Sequence, residues 1–256
     1  PGVDESQSET KADGTVGLTI DASDSVDFIV RSSISHKPEG YSGFTSNPIF
    51  TRFNSEKLWS NELGINFRSE ENHLSGSLVA FSNDTDDYQY ERTVPFSTDF
   101  VVINAEEVSS EGIEGKLVFN PRQGLFFDFQ AGYTDAQFDK HRDSLGADVS
   151  GNNVPFIPEY TVRTGVRFEL ENGFYGSSSY TAYGKTYYDE QNQAGFAQSS
   201  FGIWDAQLGY RSENFAVSVF GRNLAEEDYY QFINPEIQAG SPGAPQRFGL
   251  HLDLFY

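Results

Sequence analysis

The chain is 256 residues long, carries a formal net charge of −21 and contains neither Cys nor Met. The absence of cysteine excludes a disulfide framework and a thiolate metal site, and the lack of any basic stretch argues against nucleic acid as a partner, because binding it requires clustered cations that displace counterions. No apolar run approaches the roughly 20 residues of a membrane-spanning helix, no charged-then-apolar leader opens the chain, and the missing Met is what a processed chain or an excised segment would show.

The composition is polar, yet 15% of it is aromatic, with 23 Phe and 14 Tyr. That combination suits a β-barrel with a wet lumen, in which only alternate residues face lipid and aromatics form interfacial girdles. From end to end, apolar residues recur with period two, which predicts strands and no helix. The segments fall near 15–22, 25–35, 56–68, 73–90, 107–120, 124–138, 156–170, 173–188, 199–211, 214–224 and 245–256.

In chain order, Val26, Phe28 and Val30 oppose Asp27 and Arg31, and then Trp59, Leu63, Ile65 and Phe67 oppose Glu62, Asn66 and Arg68. Further on, Phe127, Phe129 and Tyr133 oppose Asp128, Gln130 and Thr134. Val162, Val166, Phe168 and Leu170 oppose Arg163, Arg167 and Glu169, and Trp204, Leu208 and Tyr210 oppose Asp205, Gln207 and Gly209. The segments 73–90 and 173–188 alternate less cleanly. Phe28, Trp59, Phe127, Phe168, Trp204 and Leu252 are expected to face lipid. Arg31, Glu62, Arg68, Glu114, Lys116, Asp128, Arg163, Arg167, Asp205 and His251 are expected to face the lumen, pairing with each other or with a plug.

The connections alternate in length. Tight turns at 22–25, 69–72, 121–124, 171–173 and 211–214 separate long loops near 36–54, 91–106, 139–155, 189–198 and 225–244. Short periplasmic turns and long extracellular loops are the signature of outer-membrane barrels. The last stretch, Arg247 to Tyr256, alternates strictly and ends on an aromatic. It resembles the closing strand of a bacterial outer-membrane barrel. Arg247, Gly249, Leu252, Leu254 and Tyr256 are similar to the C-terminal signal read by the barrel-assembly machinery.

Further segments resemble TonB-dependent receptors, the gated outer-membrane transporters of Gram-negative bacteria. Phe53-Asn54-Ser55-Glu56-Lys57-Leu58-Trp59-Ser60-Asn61-Glu62-Leu63-Gly64 resembles the family's PE-x-x-W-x-x-E-x-G strand, with Ser55 where Pro is usual. Ala105-Glu106-Glu107-Val108-Ser109-Ser110-Glu111-Gly112-Ile113-Glu114 is similar to its A-x-x-x-S-x-G-x-E strand. Gly221-Arg222-Asn223-Leu224-Ala225-Glu226-Glu227-Asp228-Tyr229-Tyr230 resembles its N-L-x-D-x-x-Y pattern, with Glu227 near the usual Asp, and Val154-Pro155-Phe156-Ile157-Pro158-Glu159-Tyr160 its recurrent strand opening. The resemblance runs from about residue 13 to the end, with its segments in the family's order.

What the resemblance implies is an all-β, antiparallel, up-and-down transmembrane barrel segment of about eleven strands, incomplete against the roughly 22 strands and plugged lumen of the family. Residues 1–256 would be the C-terminal part of the barrel, with the plug domain absent. The implied function is TonB-dependent uptake of a scarce ligand of the iron-siderophore, cobalamin or glycan class. The implied partners are outer-membrane lipid, the assembly machinery, an extracellular small ligand, and TonB through the absent plug. Alternatives are a small autonomous barrel enzyme (a protease or lipase) and a passive porin; an enzyme needs a catalytic set that is not evident, and a porin would lack these motifs.

Individual site chemistry is sparse. His36, His73, His141 and His251 are scattered without ligand spacing, so no metal or cofactor is expected. Asn83-Asp84-Thr85-Asp86-Asp87 lacks the Gly and distal Glu of a calcium loop and reads as an acidic strand end. His251 and Asp253 share a face but have no Ser in a nucleophile context, so no catalytic residue is assigned. The long loops carry Tyr41, Phe44 and Asn47, and Tyr229, Tyr230 and Phe232. These suit ligand contact, but for Tyr229 and Tyr230, directly after a strand end, the interfacial girdle is the favoured reading.

Overall fold

The computed structural model describes residues 9–43, 45, 47–71, 73–94, 99–143, 145–235 and 237–255. Its main sheet has eleven strands. These are β1 (Gly14–Ser23), β2 (Val26–Lys37), β3 (Glu56–Ser69), β4 (Leu74–Thr93), β5 (Phe100–Arg122) and β6 (Leu125–Lys140), followed by β7 (Tyr160–Glu169), β8 (Phe174–Tyr183), β9 (Phe201–Arg211), β10 (Phe215–Arg222) and β11 (Arg247–Leu254). Each pairs antiparallel with its sequence neighbour, without a crossover, and β1 and β11 remain unpaired edges of an open sheet among the described residues. Three small hairpins lie in the loops, pairing Gly40–Tyr41 with Arg52–Phe53, Thr186–Tyr187 with Ala197–Gln198, and Tyr230–Asn234 with Ala239–Pro242.

The register carries one apolar face across the whole sheet. Ile20 lies beside Phe28, Phe28 beside Ile65 and Ile65 beside Leu78. Leu117 lies beside Phe129, Tyr180 beside Trp204, Leu208 beside Val219 and Val219 beside Leu250. Leu63, Trp204, Leu208, Leu250 and Leu252 on this face are all exposed. On β6 the apolar stretch from Leu125 to Tyr133 rises about 20 Å along the barrel axis at a strand tilt near 40°. Eleven strands at about 4.8 Å spacing make this belt roughly 50 Å wide. That is well beyond the few hundred Å² of apolar patch that a water-soluble monomer tolerates, so the face requires an apolar solvent.

The opposite face holds the paired charges. Arg31 meets Glu62 at 3.1 Å, Arg222 meets Asp205 at 3.0 Å and Arg163 lies 3.6 Å from Asp128. His251 and Asp253 stand 3.0 Å apart on the same strand. The alternation therefore places each named lipid-facing and lumen-facing residue as expected. In the terminal strand, Leu252 and Leu254 are exposed on the apolar face, and Tyr256 lies outside the described residues. A Cβ on Gly249 would come within 2.3 Å of the Phe220 ring, so the glycine makes room for an aromatic on the neighbouring strand.

Three boundaries differ from the periodicity. β5 starts at Phe100, so the loop expected over 91–106 shrinks to 94–99; the apolar run Val101-Val102-Ile103 does not alternate, and Val101 is buried at the loop end. β7 starts at Tyr160 because Pro155 and Pro158 supply no ladder N–H groups. β8 stops at Tyr183, and Thr186–Tyr187 turns into a separate hairpin.

The tight turns depend on glycine at two places. Gly124 (φ +74°) and Gly173 (φ +91°) adopt left-handed conformations, and a Cβ there would lie 2.0 Å from the Glu169 carbonyl oxygen and 2.3 Å from that of Arg211. Gly124→Ala is expected to cost at least about 1–2 kcal/mol, read as a lower urea midpoint for the folded, heat-modifiable species. An unchanged midpoint would show that the turn absorbs the methyl.

Candidate functional site

Successive connections of a meander alternate ends, so the long connections 38–55, 94–99, 141–159, 184–200 and 223–246 share one end of the sheet. There β4 and β5, at 20 and 23 residues, greatly exceed the roughly 9–11 residues needed to cross a membrane. Their extensions carry a small core of Tyr90, Ala105, Val108, Ala136, Phe138, Val149 and Val154. The 141–159 loop folds back along β6 to complete it. The Phe138 N–H donates to the Asn152 carbonyl at 2.9 Å, and the Val154 N–H to that of Ala136 at 2.9 Å. The loop end is thus a packed cap. Loop 38–55 is tied to it by Gln89, whose amide donates to the carbonyls of Pro38 and Asn54.

A buried polar cluster sits in this cap. Glu190, from loop 184–200, accepts from the Tyr90 hydroxyl at 2.6 Å and from Arg92 at 2.9 Å. The Tyr90 oxygen is also 2.8 Å from His141 Nε2, which stands 3.7 Å from the second Glu190 oxygen. Burial pushes the Glu190 carboxyl up, but His141, the Arg92 charge and the Tyr90 hydrogen bond outweigh it and hold the group below its ordinary value. Asp143 is likewise pushed up by burial and then brought below its ordinary value by bonds from Gln191, Ala147 and Leu145. Asp189 differs: burial dominates and raises it, despite hydrogen bonds from Gln193.

These shifts have opposite linkage. The lowered carboxyls of Glu190 and Asp143 stabilise the cap above the ordinary carboxylate range, and that contribution disappears as pH falls through their folded values; the raised Asp189 contributes at low pH and loses its contribution as pH rises through its folded value. Glu190 anchors Tyr90, Arg92 and His141 in the cap, so the cap is expected to loosen as this carboxyl is protonated, below the ordinary Glu value of 4.5. Hydrogen exchange at the Phe138 and Val154 amides from pH 7 to 3, corrected for intrinsic rates, measures this. Protection that is flat or rises toward acid would contradict it.

Beside the cluster lie two cavities separated by an aromatic partition. One, of about 240 Å³, is bounded by Arg92, Asp143, Gln191, Phe196, Phe232 and others; the second, of about 480 Å³, is bounded by Tyr183, Phe201, Tyr229, Tyr230 and Asp205 among others. Phe156 and Tyr188 line both. The Phe156 ring lies 5.5 Å from Tyr188 and stacks on Phe232 at 5.8 Å. Its backbone is left-handed (φ +69°), held by its N–H bond to the Tyr187 carbonyl at 2.8 Å. That conformation costs a non-glycine residue roughly 1–2 kcal/mol, and strain of this kind concentrates where a side chain must be aimed.

In the second cavity Tyr229 stacks on Phe201 at 4.5 Å, and Phe201 on Tyr183 at 5.0 Å. Phe201 shares the charged face of β9 with Asp205. This places Tyr229 with the inward-facing aromatics rather than with the lipid-facing belt. Phe232 and Tyr230 also line these cavities. Tyr41 lies in the small hairpin of loop 38–55, and Asn47 caps the short 3₁₀ turn Pro48–Phe50 by accepting from the Ile49 N–H at 3.1 Å. Neither lines the cavities, and Phe44 lies outside the described residues. Sequence reasoning missed Tyr90, Arg92, His141, Phe156, Tyr188 and Glu190. The one usable signal was the cluster Tyr187-Tyr188-Asp189-Glu190, half of which was assigned to a strand. Among the described residues no cluster of candidate ligands could hold a metal ion.

An open antiparallel meander with a continuous apolar belt on one face, paired charges on the other and a packed cap at the loop end is the wall of a transmembrane β-barrel. The family model described as TonB dependent receptor-like, beta-barrel matches residues 3–224. The chain belongs to that family. Among solved structures it is similar to the ferric yersiniabactin uptake receptor FyuA from Yersinia pestis, with a TM-score of 0.80 and 20% identity over 94% of this chain and 37% of that one. It is also similar to the siderophore receptor PiuA from Acinetobacter baumannii (TM-score 0.74, 16% identity, 93% and 35%) and to the copper transporter OprC (TM-score 0.70, 15% identity, 95% and 39%). The chain therefore spans less than two-fifths of each of these structures.

Proposed function

We propose that this chain forms the C-terminal part of a TonB-dependent receptor barrel in the outer membrane of a Gram-negative bacterium. The receptor takes up a metal chelate, and the loop cavities hold part of that ligand. The observation that carries this reading is the strained Phe156, aimed with Tyr188 and Phe232 into a space between loops at the end opposite the tight turns. The chelate class is supported by the structurally similar proteins, which include a ferric yersiniabactin uptake receptor and a siderophore receptor. The remaining strands and the plug on which TonB acts are contributed by polypeptide outside this chain. The apolar belt meets lipid, and the C-terminal segment with Arg247, Gly249, Leu252, Leu254 and Tyr256 is engaged by the barrel-assembly machinery.

The residues divide the work. The aromatic walls present rigid, amphipathic surface at low entropic cost, and the amides of Gln191 and Gln193 supply polar edges. The test is chelate-dependent growth of iron-starved cells carrying the full-length receptor with Phe156→Ala and Tyr188→Ala. Uptake should fall at least about tenfold, equivalent to about 1.4 kcal/mol of lost binding, at equal surface abundance. Undiminished uptake at equal abundance would assign the aromatic partition to structure alone.

A further inference from the structure

The carboxylates around the cavities are not matched by available cations. Glu91, Asp143, Asp189 and Glu190 line the smaller cavity, whose one guanidinium, Arg92, is bound to Glu190 at 2.9 Å. In the larger cavity Asp205 is paired with Arg222 at 3.0 Å. The five long connections carry eleven Asp or Glu against three Lys or Arg. Each of those three cations is engaged: Arg52 pairs with Glu39 at 3.1 Å, Arg142 donates to the Gly146 carbonyl at 3.0 Å, and the Lys185 ammonium sits 4.0 Å over the Tyr187 ring. Three of the carboxylates, Glu226, Glu227 and Asp228, immediately precede Tyr229 at the rim of the larger cavity. A polyanion entering here meets like charge and, among the described residues, no free cation, whereas a neutral or cationic group meets aromatic faces that attract it by stacking or cation–π contact.

We propose that the receptor selects a neutral or cationic chelate and rejects polyanionic ones, the loop cavities acting as the charge filter; this rests on the uptake reading above. Ferric iron bound by three monoanionic hydroxamates is neutral overall, and bound by three dianionic catecholates it carries three negative charges, so the two make a matched pair of probes. Binding of a ferric trihydroxamate and a ferric tricatecholate to the full-length receptor is measured by quenching of intrinsic fluorescence at low and high salt. The trihydroxamate is expected to bind at least about tenfold more tightly, with the gap narrowing as salt shortens the Debye length to about 3–4 Å. Replacing Glu226→Gln, Glu227→Gln and Asp228→Asn together should raise tricatecholate affinity several-fold. A tricatecholate that binds as tightly as the trihydroxamate, or a gap indifferent to salt, would overturn the charge filter and leave the uptake reading standing. Binding of neither chelate would overturn both.

Discussion

Replacing Glu190 with alanine is expected to cost the loop cap about 3–5 kcal/mol, the penalty for leaving one member of a buried ion pair uncompensated. Glu190 and Arg92 are nearly buried, with side-chain exposures of 12% and 13%, so bulk water screens the pair weakly. The change also removes the acceptor of the Tyr90 hydroxyl and the charge facing His141. Arg92 already has one buried nitrogen, Nε, without a protein partner, which leaves it little reserve. The readout is hydrogen exchange at the Phe138 and Val154 amides, where protection should drop by about two to four powers of ten. Glu190→Gln keeps an acceptor without the charge and should fall between the two. Equal protection in all three proteins would mean that the cluster is not what closes the cap.

The wall of the barrel was legible in the sequence because lipid imposes a strict period-two rule on any strand crossing it. Phe127 next to Asp128 and Trp204 next to Asp205 decide the facing of their strands from the residues alone, and the register confirms both. The rule lapses above the belt, where strands are clothed by loops rather than by lipid. The run Val101-Val102-Ile103 does not alternate, with Val101 buried and Ile103 packed against the cap core, so the start of β5 could not be placed. The prolines ahead of Tyr160 mark a strand boundary that the apolar pattern overran.

The candidate site was legible only in part, for a related reason. Phe232, Tyr229 and Tyr230 stand out as aromatics in a long polar loop, and they do line the cavities. Arg92 and Glu190 are 98 positions apart, and Tyr90 and His141 are 51 apart. No local spacing announces such a cluster, and an isolated His or Arg in a strand end looks like any solvated residue. Asn47 shows the converse: a polar side chain in a long loop, chosen as a ligand contact, is occupied in capping a turn of its own. Phe156 was hidden by its place in a strand-opening motif, and only its backbone conformation sets it apart.

The second large effect should separate two adjacent residues on one strand. Leu117 lies on the apolar face between Gly76 and Phe129, and Val118 lies on the charged face between Ser75 and Asp128. If the apolar belt is lipid-facing, Leu117→Arg places a guanidinium near the bilayer midplane and should cost about 2–4 kcal/mol. Val118→Arg places the same group opposite the Asp128 carboxylate in a wet lumen, where an exposed pair is worth about 0–1 kcal/mol and the change is near neutral. Val118→Arg gives up a β-branched residue and so loses slightly more strand propensity than Leu117→Arg, which works against the expected order, so a larger cost at Leu117 reports the solvent each face meets. Urea unfolding of the full-length receptor in lipid vesicles, followed by the heat-modifiable band, measures it. A water-soluble sheet would give the opposite order or none, because an exposed Arg at Leu117 would then improve its solvation. The sign of that difference therefore tests the fold, its register and its membrane setting in one measurement.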